Sequence, residues 1–340
     1  MTSRRVLLIG SGGTIASTRD GGSASVATVT AEDLMARIPP VDGARITRVN
    51  EWARINSWAL VQDDMLALAR LVCAEAADPE VDGIVVTHGT DTIERSAFLA
   101  DLLYTGKKPV VFVGAMRPAD DPEPDGPGNL ARTLDAIGSG VLDDLGVGVL
   151  VGADVHAARA VTKVDSRAEQ AVASPGLGPL AVRDAAGEWR RAAVVLDRVG
   201  LPIPPADLAP SLPVVPIVVS QPAPLAGMLP WALQAGDGRA IVVEGMGAGN
   251  LAPALADEIK TAAASGALVA ISTCTLTSGV HPSYRGPGGN AELVEAGAIG
   301  ARTLTSAKTS LLLATLLAAD SDDLAERFTA ALDVLSPAAG

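Results

Sequence analysis

Large rings are scarce in this chain: three phenylalanines, four tryptophans and two tyrosines make up 3% of its 340 residues, so each one is valuable for packing. Cysteine is rarer still. Cys73 and Cys274 fall in an apolar helix-like run and in the strand-like residues 267–275, where free thiols are usually buried, and their number excludes a disulfide framework or a zinc-finger spacing. Positive charge is also short: 26 Lys and Arg face 39 Asp and Glu, for a formal charge of −13. That balance argues against nucleic acid as a partner, because phosphate affinity comes from clustered cations that release counterions.

No apolar run is long enough to span a bilayer, so no membrane partner is expected. The basic start, Ser3-Arg4-Arg5, leads into only four apolar residues before Gly10, which reads as a first buried strand rather than a leader and implies a cytoplasmic protein. Internal repeats and heptads are absent. What remains is 48% hydrophobic, ample for two folded cores.

In the first half, short apolar runs at residues 6–10, 84–87, 110–114 and 147–152 alternate with longer periodic stretches, such as the helix opened by Asp63-Asp64 and another over 129–137. This alternation predicts strand-helix units in a mostly parallel sheet. Six prolines between 202 and 216 break the pattern, which resumes with strands at 214–220, 240–244 and 267–272 and helices at 254–265 and 306–319. We therefore expect an α/β protein with a larger doubly wound domain over 1–195, a proline-rich linker over 196–212 and a smaller α/β domain over 213–340.

Chemistry concentrates at two strand ends. Gly10-Ser11-Gly12-Gly13-Thr14-Ile15 follows the first strand, and Thr87-His88-Gly89-Thr90-Asp91-Thr92 follows the second and precedes a helix. Ligands of open α/β sheets collect outside the carboxyl ends of strands, so Thr14 and the Thr90-Asp91 pair are placed to face one cleft. The glycine turn alone also allows a tight structural turn or a degenerate dinucleotide loop. A dinucleotide loop requires a helix directly after the glycines, whereas residues 17–28, rich in Gly, Ser, Ala and Thr, read as a loop.

A threonine hydroxyl attacks only when a base takes its proton. Of three histidines, His88 reads either as a hydrogen-bonded strand-end element or as that base, while His281 lies in a Pro-, Ser- and Gly-rich loop. The chain uses 21 arginines but only five lysines. Lys107, Lys108, Lys260 and Lys308 fit solvated roles, whereas Lys163, in Val161-Thr162-Lys163-Val164, is a candidate for the cleft. Only lysine can be driven neutral, so a Thr90, Lys163, Asp91 relay is an alternative to a surface lysine.

The two motifs together resemble the signature segments of the bacterial asparaginase and glutaminase family. The resemblance continues through Gly114-Ala115-Met116-Arg117-Pro118, Asp125-Gly126-Pro127-Gly128-Asn129-Leu130, Val161-Thr162-Lys163, Gly245-Met246-Gly247-Ala248-Gly249-Asn250-Leu251 and Ser306-Ala307-Lys308, nearly the whole chain. It implies hydrolysis of a small side-chain amide through an acyl-enzyme, with neither metal nor organic cofactor. It implies Thr14 as nucleophile, with Thr90, Asp91 and Lys163 as a second catalytic cluster in which Thr90 holds or activates water. Backbone N–H groups near Thr14 and Thr90 would stabilise the oxyanion by a few kcal/mol. Substrate binding would fall to Gly89, to Asp91 for the α-amino group, to Ser57 for the α-carboxylate, and to the Ala115 carbonyl at the leaving amide. Asn250 would complete a neighbouring subunit's site in a homodimer or homotetramer.

Three departures bear on specificity. Many family members carry a tyrosine on the loop after the first motif, but residues 17–30 contain none. Tyr284, in a late loop that matches part of the family, is a possible contributor. Beside Ser57 stands Trp58 followed by Ala59, where the family usually has a small or amide-bearing residue and an acid; the indole either reshapes the head-group pocket or packs between domains or subunits. Two other readings stay open: a catalytically silent amide-binding protein of the same fold, and a nucleotide-binding oxidoreductase.

Overall fold

The computed structural model describes residues 3–19, 21, 25–192, 204–222, 226–319 and 322–336. The chain divides into two compact units, Met1–Pro205 and Ala206–Gly340. The proline-rich segment expected as a linker overlaps residues 193–203, which lie outside the described residues.

The first unit contains strands β1 (Arg4–Gly12), β2 (Ser17–Arg19), β3 (Ser25–Ala27), β4 (Ala44–Ile55), β5 (Gly83–Thr87), β6 (Val110–Val113), β7 (Val147–Leu150), β8 (Val155–Ala157), β9 (Thr162–Lys163), β10 (Val172–Ala173), β11 (Ala181–Arg183) and β12 (Trp189–Arg191). Its helices are α1 (Ala31–Ala36), α2 (Gln62–Ala76), α3 (Ile93–Leu103) and α4 (Gly126–Ser139). Eight strands form one sheet in the order β12-β11-β8-β7-β6-β5-β1-β4. Its parallel part runs β4-β1-β5-β6-β7, the flavodoxin-like order in which the first strand lies between the second and the third. β5, β6 and β7 are buried along their whole length, as strands covered on both faces must be, and this is why they read as continuous apolar runs.

Helix signals sit where the sequence places them. Asp63 and Asp64 lie in the first turn of α2, and the Asp64 carboxylate accepts the Val61 backbone N–H at 3.0 Å. Pro127 opens α4, and Gly140 closes it in the left-handed region with φ 78°.

Within residues 17–28, expected as a loop, β2 and β3 instead pair antiparallel, Ser17 opposite Ala27 and Arg19 opposite Ser25. Alternating Ser, Thr, Val and Ala tolerate an extended backbone as well as a loop, and periodicity over three-residue strands is too short to read.

The second unit holds β13 (Ile217–Val219), β14 (Ala240–Gly245), β15 (Leu268–Thr273) and β16 (Ile299–Gly300), all parallel in that spatial order, with helices α5 (Met228–Ala235), α6 (Pro253–Ala264), α7 (Asn290–Glu295), α8 (Ser306–Ala318) and α9 (Leu324–Leu335). It has its own core around Ile241, Val243, Leu255, Ile259, Val269 and Ile271. Two expectations are corrected here. Lys308 is not solvated but 1% exposed, because α8 is buried on nearly every side and Lys308 enters with its first turn. Cys274 is exposed, since β15 ends at Thr273 and the thiol lies just past the buried strand; Cys73 is half-buried, and burial pushes its thiol up to about 11. Among the described residues no helix is long and apolar enough to cross a membrane.

Candidate active site at the switch point of the larger sheet

Sheet order reverses at β1: the chain goes first to β4 on one side, then to β5 on the other. Such a switch point opens a crevice outside the carboxyl ends of the two diverging strands. The register makes the rim level, with Gly10 beside Thr87 and Thr87 beside Val113. From this rim emerge Gly13-Thr14, His88 to Thr92, and Gly114-Ala115.

Two of these turns touch through bare backbone. A Cβ on Gly13 would lie 2.3 Å from the Gly89 nitrogen and 2.8 Å from the His88 carbonyl carbon. Gly13 also has φ 84° and ψ −179°, a region that only glycine occupies readily. Thr14 begins a 3-10 turn, Thr14–Ala16, in which Ile15 and Ala16 are buried and Thr14 is half-buried. Since no α-helix follows the glycines, the turn lacks the helix N-terminus on which a dinucleotide pyrophosphate would rest.

The third element is the 3-10 turn Ser57–Ala59. A Cβ on Gly89 would meet the Ser57 hydroxyl oxygen at 2.6 Å, and Thr92 donates its hydroxyl to the Ser57 carbonyl at 2.9 Å. Ser57 is therefore pinned against Gly89. Trp58 beside it is 67% exposed, so within this unit it does not serve as a packed core ring.

A fourth wall is the 114–117 turn. Gly114 lies under Thr90, whose Cγ2 would be 2.7 Å from a Cβ placed there, and Ala115 is fully buried. Two side chains that motif reading did not single out hold this turn. Asn129 donates to the Gly114 carbonyl at 2.9 Å, and Asp125 accepts the N–H groups of Met116 and Arg117 at 2.9 and 2.8 Å. Their signal was the Asp125-Gly126-Pro127 helix start, where an acid or amide near α4 can turn back to the preceding strand end.

Lys163 reaches the motif from β9. Its ammonium donates to the Thr90 hydroxyl oxygen at 2.8 Å and to Asp91 Oδ1 at 2.7 Å. Thr90 is buried, Lys163 half-buried and Asp91 exposed, so the cluster has a dry end at the hydroxyl and a wet end at the carboxylate. The structure thus joins Thr90, Asp91 and Lys163 directly, and brings Gly89, Ser57 and the Thr14 turn to the same rim.

His88 is not joined to that cluster by a hydrogen bond among the described residues. Its ring is fully buried, 5.9 Å from the Phe112 ring centroid, and Nδ1 lies 2.8 Å from the Gly89 carbonyl, which can only accept, so Nδ1 carries the proton. Nε2 has no hydrogen-bond partner among the described residues. Burial pushes the imidazole down to about 4 from its ordinary 6.5.

Asn250 and Tyr284 belong to the second unit. Asn250 forms a tight bridge with Met246, and its side-chain oxygen accepts the Asn290 N–H at 3.2 Å; Tyr284 is 60% exposed. Among the described residues no group of three or more His, Cys, Asp or Glu side chains is placed to hold a metal ion.

Known proteins bear on this geometry. A family model described as asparaginase, N-terminal, matches residues 5–194, and one described as glutaminase/asparaginase C-terminal domain matches residues 215–327. A probable L-asparaginase of Deinococcus radiodurans is 33% identical over 332 residues, 96% of this chain and 97% of that protein. The glutaminase-asparaginase of Acinetobacter glutaminasificans is 37% identical over 163 residues, so this match spans 46% of this chain and about half, 49%, of that protein. A crystal structure of a probable cytoplasmic L-asparaginase from Campylobacter jejuni superposes with a TM-score of 0.84 at 30% identity, covering 96% of this chain and 99% of that one.

Two outcomes test the local physics. Gly13→Ala combines a disallowed backbone with a backbone clash and should destabilise the protein by on the order of 3 kcal/mol or more in urea unfolding. Gly178→Ala, at φ 78° but with nothing among the described residues within 4 Å of the new Cβ, should cost only about 1 kcal/mol. For His88, the folded ring stays neutral while the unfolded one takes up a proton below 6.5, so its contribution is complete above that pH and is lost as pH falls toward 4. Between pH 7.5 and 5 the wild type should lose about 2 kcal/mol more stability than His88→Gln, and equal losses would contradict the assignment.

Proposed function

The chain belongs to the asparaginase and glutaminase family, and we propose that it hydrolyses the side-chain amide of asparagine, or of a related small amide, to a carboxylate and ammonia. The observation that carries this reading is the direct contact of Lys163 with both Thr90 and Asp91, at the rim from which Thr14 also emerges.

The Thr14 hydroxyl attacks the amide carbon, and the carbonyl electrons move onto oxygen, where backbone N–H groups of the glycine turns stabilise the charge. The C–N bond then breaks. The nitrogen leaves as ammonia with the proton that Thr14 gave up, past the carbonyl of Ala115. Water held by Thr90 attacks the resulting ester, its proton returns to Thr14, and the carboxylate departs. Lys163 must be deprotonated before it can accept a proton from Thr90, and Asp91, 2.7 Å from the same nitrogen, is the nearest carboxylate to take that proton. Asp91 and Ser57 hold the amino and carboxylate ends of the substrate. Asn250 acts from a neighbouring subunit of a homodimer or homotetramer.

Residues 17–19, 21 and 25–30 hold no tyrosine, and Trp58 stands exposed beside Ser57. Both bear on which small amide, asparagine or one with a modified head group, the site accepts. An ammonia-release screen over asparagine, glutamine, their D-forms and N- or C-blocked derivatives tests this. Release is expected from at least one, with turnover falling on the order of 10³-fold or more in Thr14→Ala and Thr90→Val. Thermal stabilisation by these amides without ammonia would instead make the protein a binder.

A further inference from the structure

Lys163 is held at both ends by one helix start. Its ammonium bonds to Asp91, and its backbone N–H donates to the Glu94 carboxylate at 2.9 Å. Glu94 is in the first turn of α3, three residues after Asp91, where the helix dipole favours a carboxylate.

This grip matters because Lys163 does not stand on the main sheet. Among the described residues β9 pairs with β10 alone, in a separate two-stranded sheet with Val172 opposite Lys163. A far tie holds the other strand: Ser174, just past β10, meets His156 Nδ1 on β8 at 3.0 Å. From the backbone tie to the ammonium the lysine stem has four rotatable bonds, and ordering such a side chain costs conformational entropy.

We infer that Glu94 is a positioning residue for the proposed hydrolysis: by fixing the Lys163 backbone against α3, it sets the ammonium on Thr90 and Asp91 together. The Glu94 carboxylate bonds the Lys163 backbone rather than its ammonium, so it acts through Lys163. The inference rests on the hydrolase reading for its kinetic consequence, but not for its structural one.

The test uses the full-length protein. Glu94→Ala should lower kcat by about 10- to 100-fold with KM changed less than about twofold, since a misplaced catalytic group costs rate rather than binding. Glu94→Gln, whose amide oxygen accepts the same bond, should recover most of that loss. In a Lys163→Met background, Glu94→Ala should cause no further loss, because both changes remove the same function. Independently of turnover, amide hydrogen exchange at Lys163 should quicken in Glu94→Ala and not in Glu94→Gln. Unchanged kcat in Glu94→Ala, multiplicative losses in the double variant, or unchanged exchange would each overturn the inference. If the wild type releases no ammonia while exchange responds as expected, the hydrolase reading fails and the clamp stands.

Discussion

Everything at this site depends on two peptide backbones touching where no side chain fits. β1 and β5 are adjacent and parallel, so their following turns leave the sheet at the same level, and the turns close on each other only because Gly13 and Gly89 carry no Cβ. That contact places the Thr14 turn against the Thr90-Asp91 motif. The other walls are set from it: Ser57 packs where a Gly89 Cβ would stand, and Gly114 leaves room for the Thr90 methyl group. A sheet switch point supplies the crevice, but bare backbone supplies the proximity that the proposed nucleophile and its helpers would need.

Charge is distributed with the same economy. The buried histidine within the motif is kept neutral by desolvation and spends its one N–H on the Gly89 carbonyl, so it stiffens the turn without offering a base. The cation proposed to handle the proton comes instead from a distant strand, β9. A lysine suits that place because it can lose a proton, which an arginine cannot do at working pH, and this chain uses arginine for most of its other positive charges.

Much of this was legible in the sequence, and the rest was not for physical reasons. β5, β6 and β7 announce themselves because burial on both faces forbids polar residues, and the glycine motifs because the backbone must pass closely there. Lys163 could be singled out by its rarity, and Thr14 and Thr90 by their strand-end places. The β2–β3 pairing was hidden because three residues are too few to show alternation, and Lys308 because a helix buried all round carries no polar face from which to read exposure. Glu94 was silent because it acts on a backbone N–H, and a bond to backbone leaves no mark on the partner's residue type; Asp125 and Asn129 stood in a quoted motif, but only the helix start hinted at the turn they hold.

The central claim is that Thr14, rather than Thr90 or a bound water, forms the first bond to the substrate. Rapid-quench mass spectrometry of Thr90→Val, mixed with whichever amide the wild type hydrolyses, tests it most directly, because loss of the water-holding hydroxyl should let the acyl-enzyme accumulate. The account predicts that the peptide containing Thr14 gains the mass of one acyl group from the substrate. Acylation elsewhere, or ammonia release in a single turnover with no adduct at any time, would contradict it.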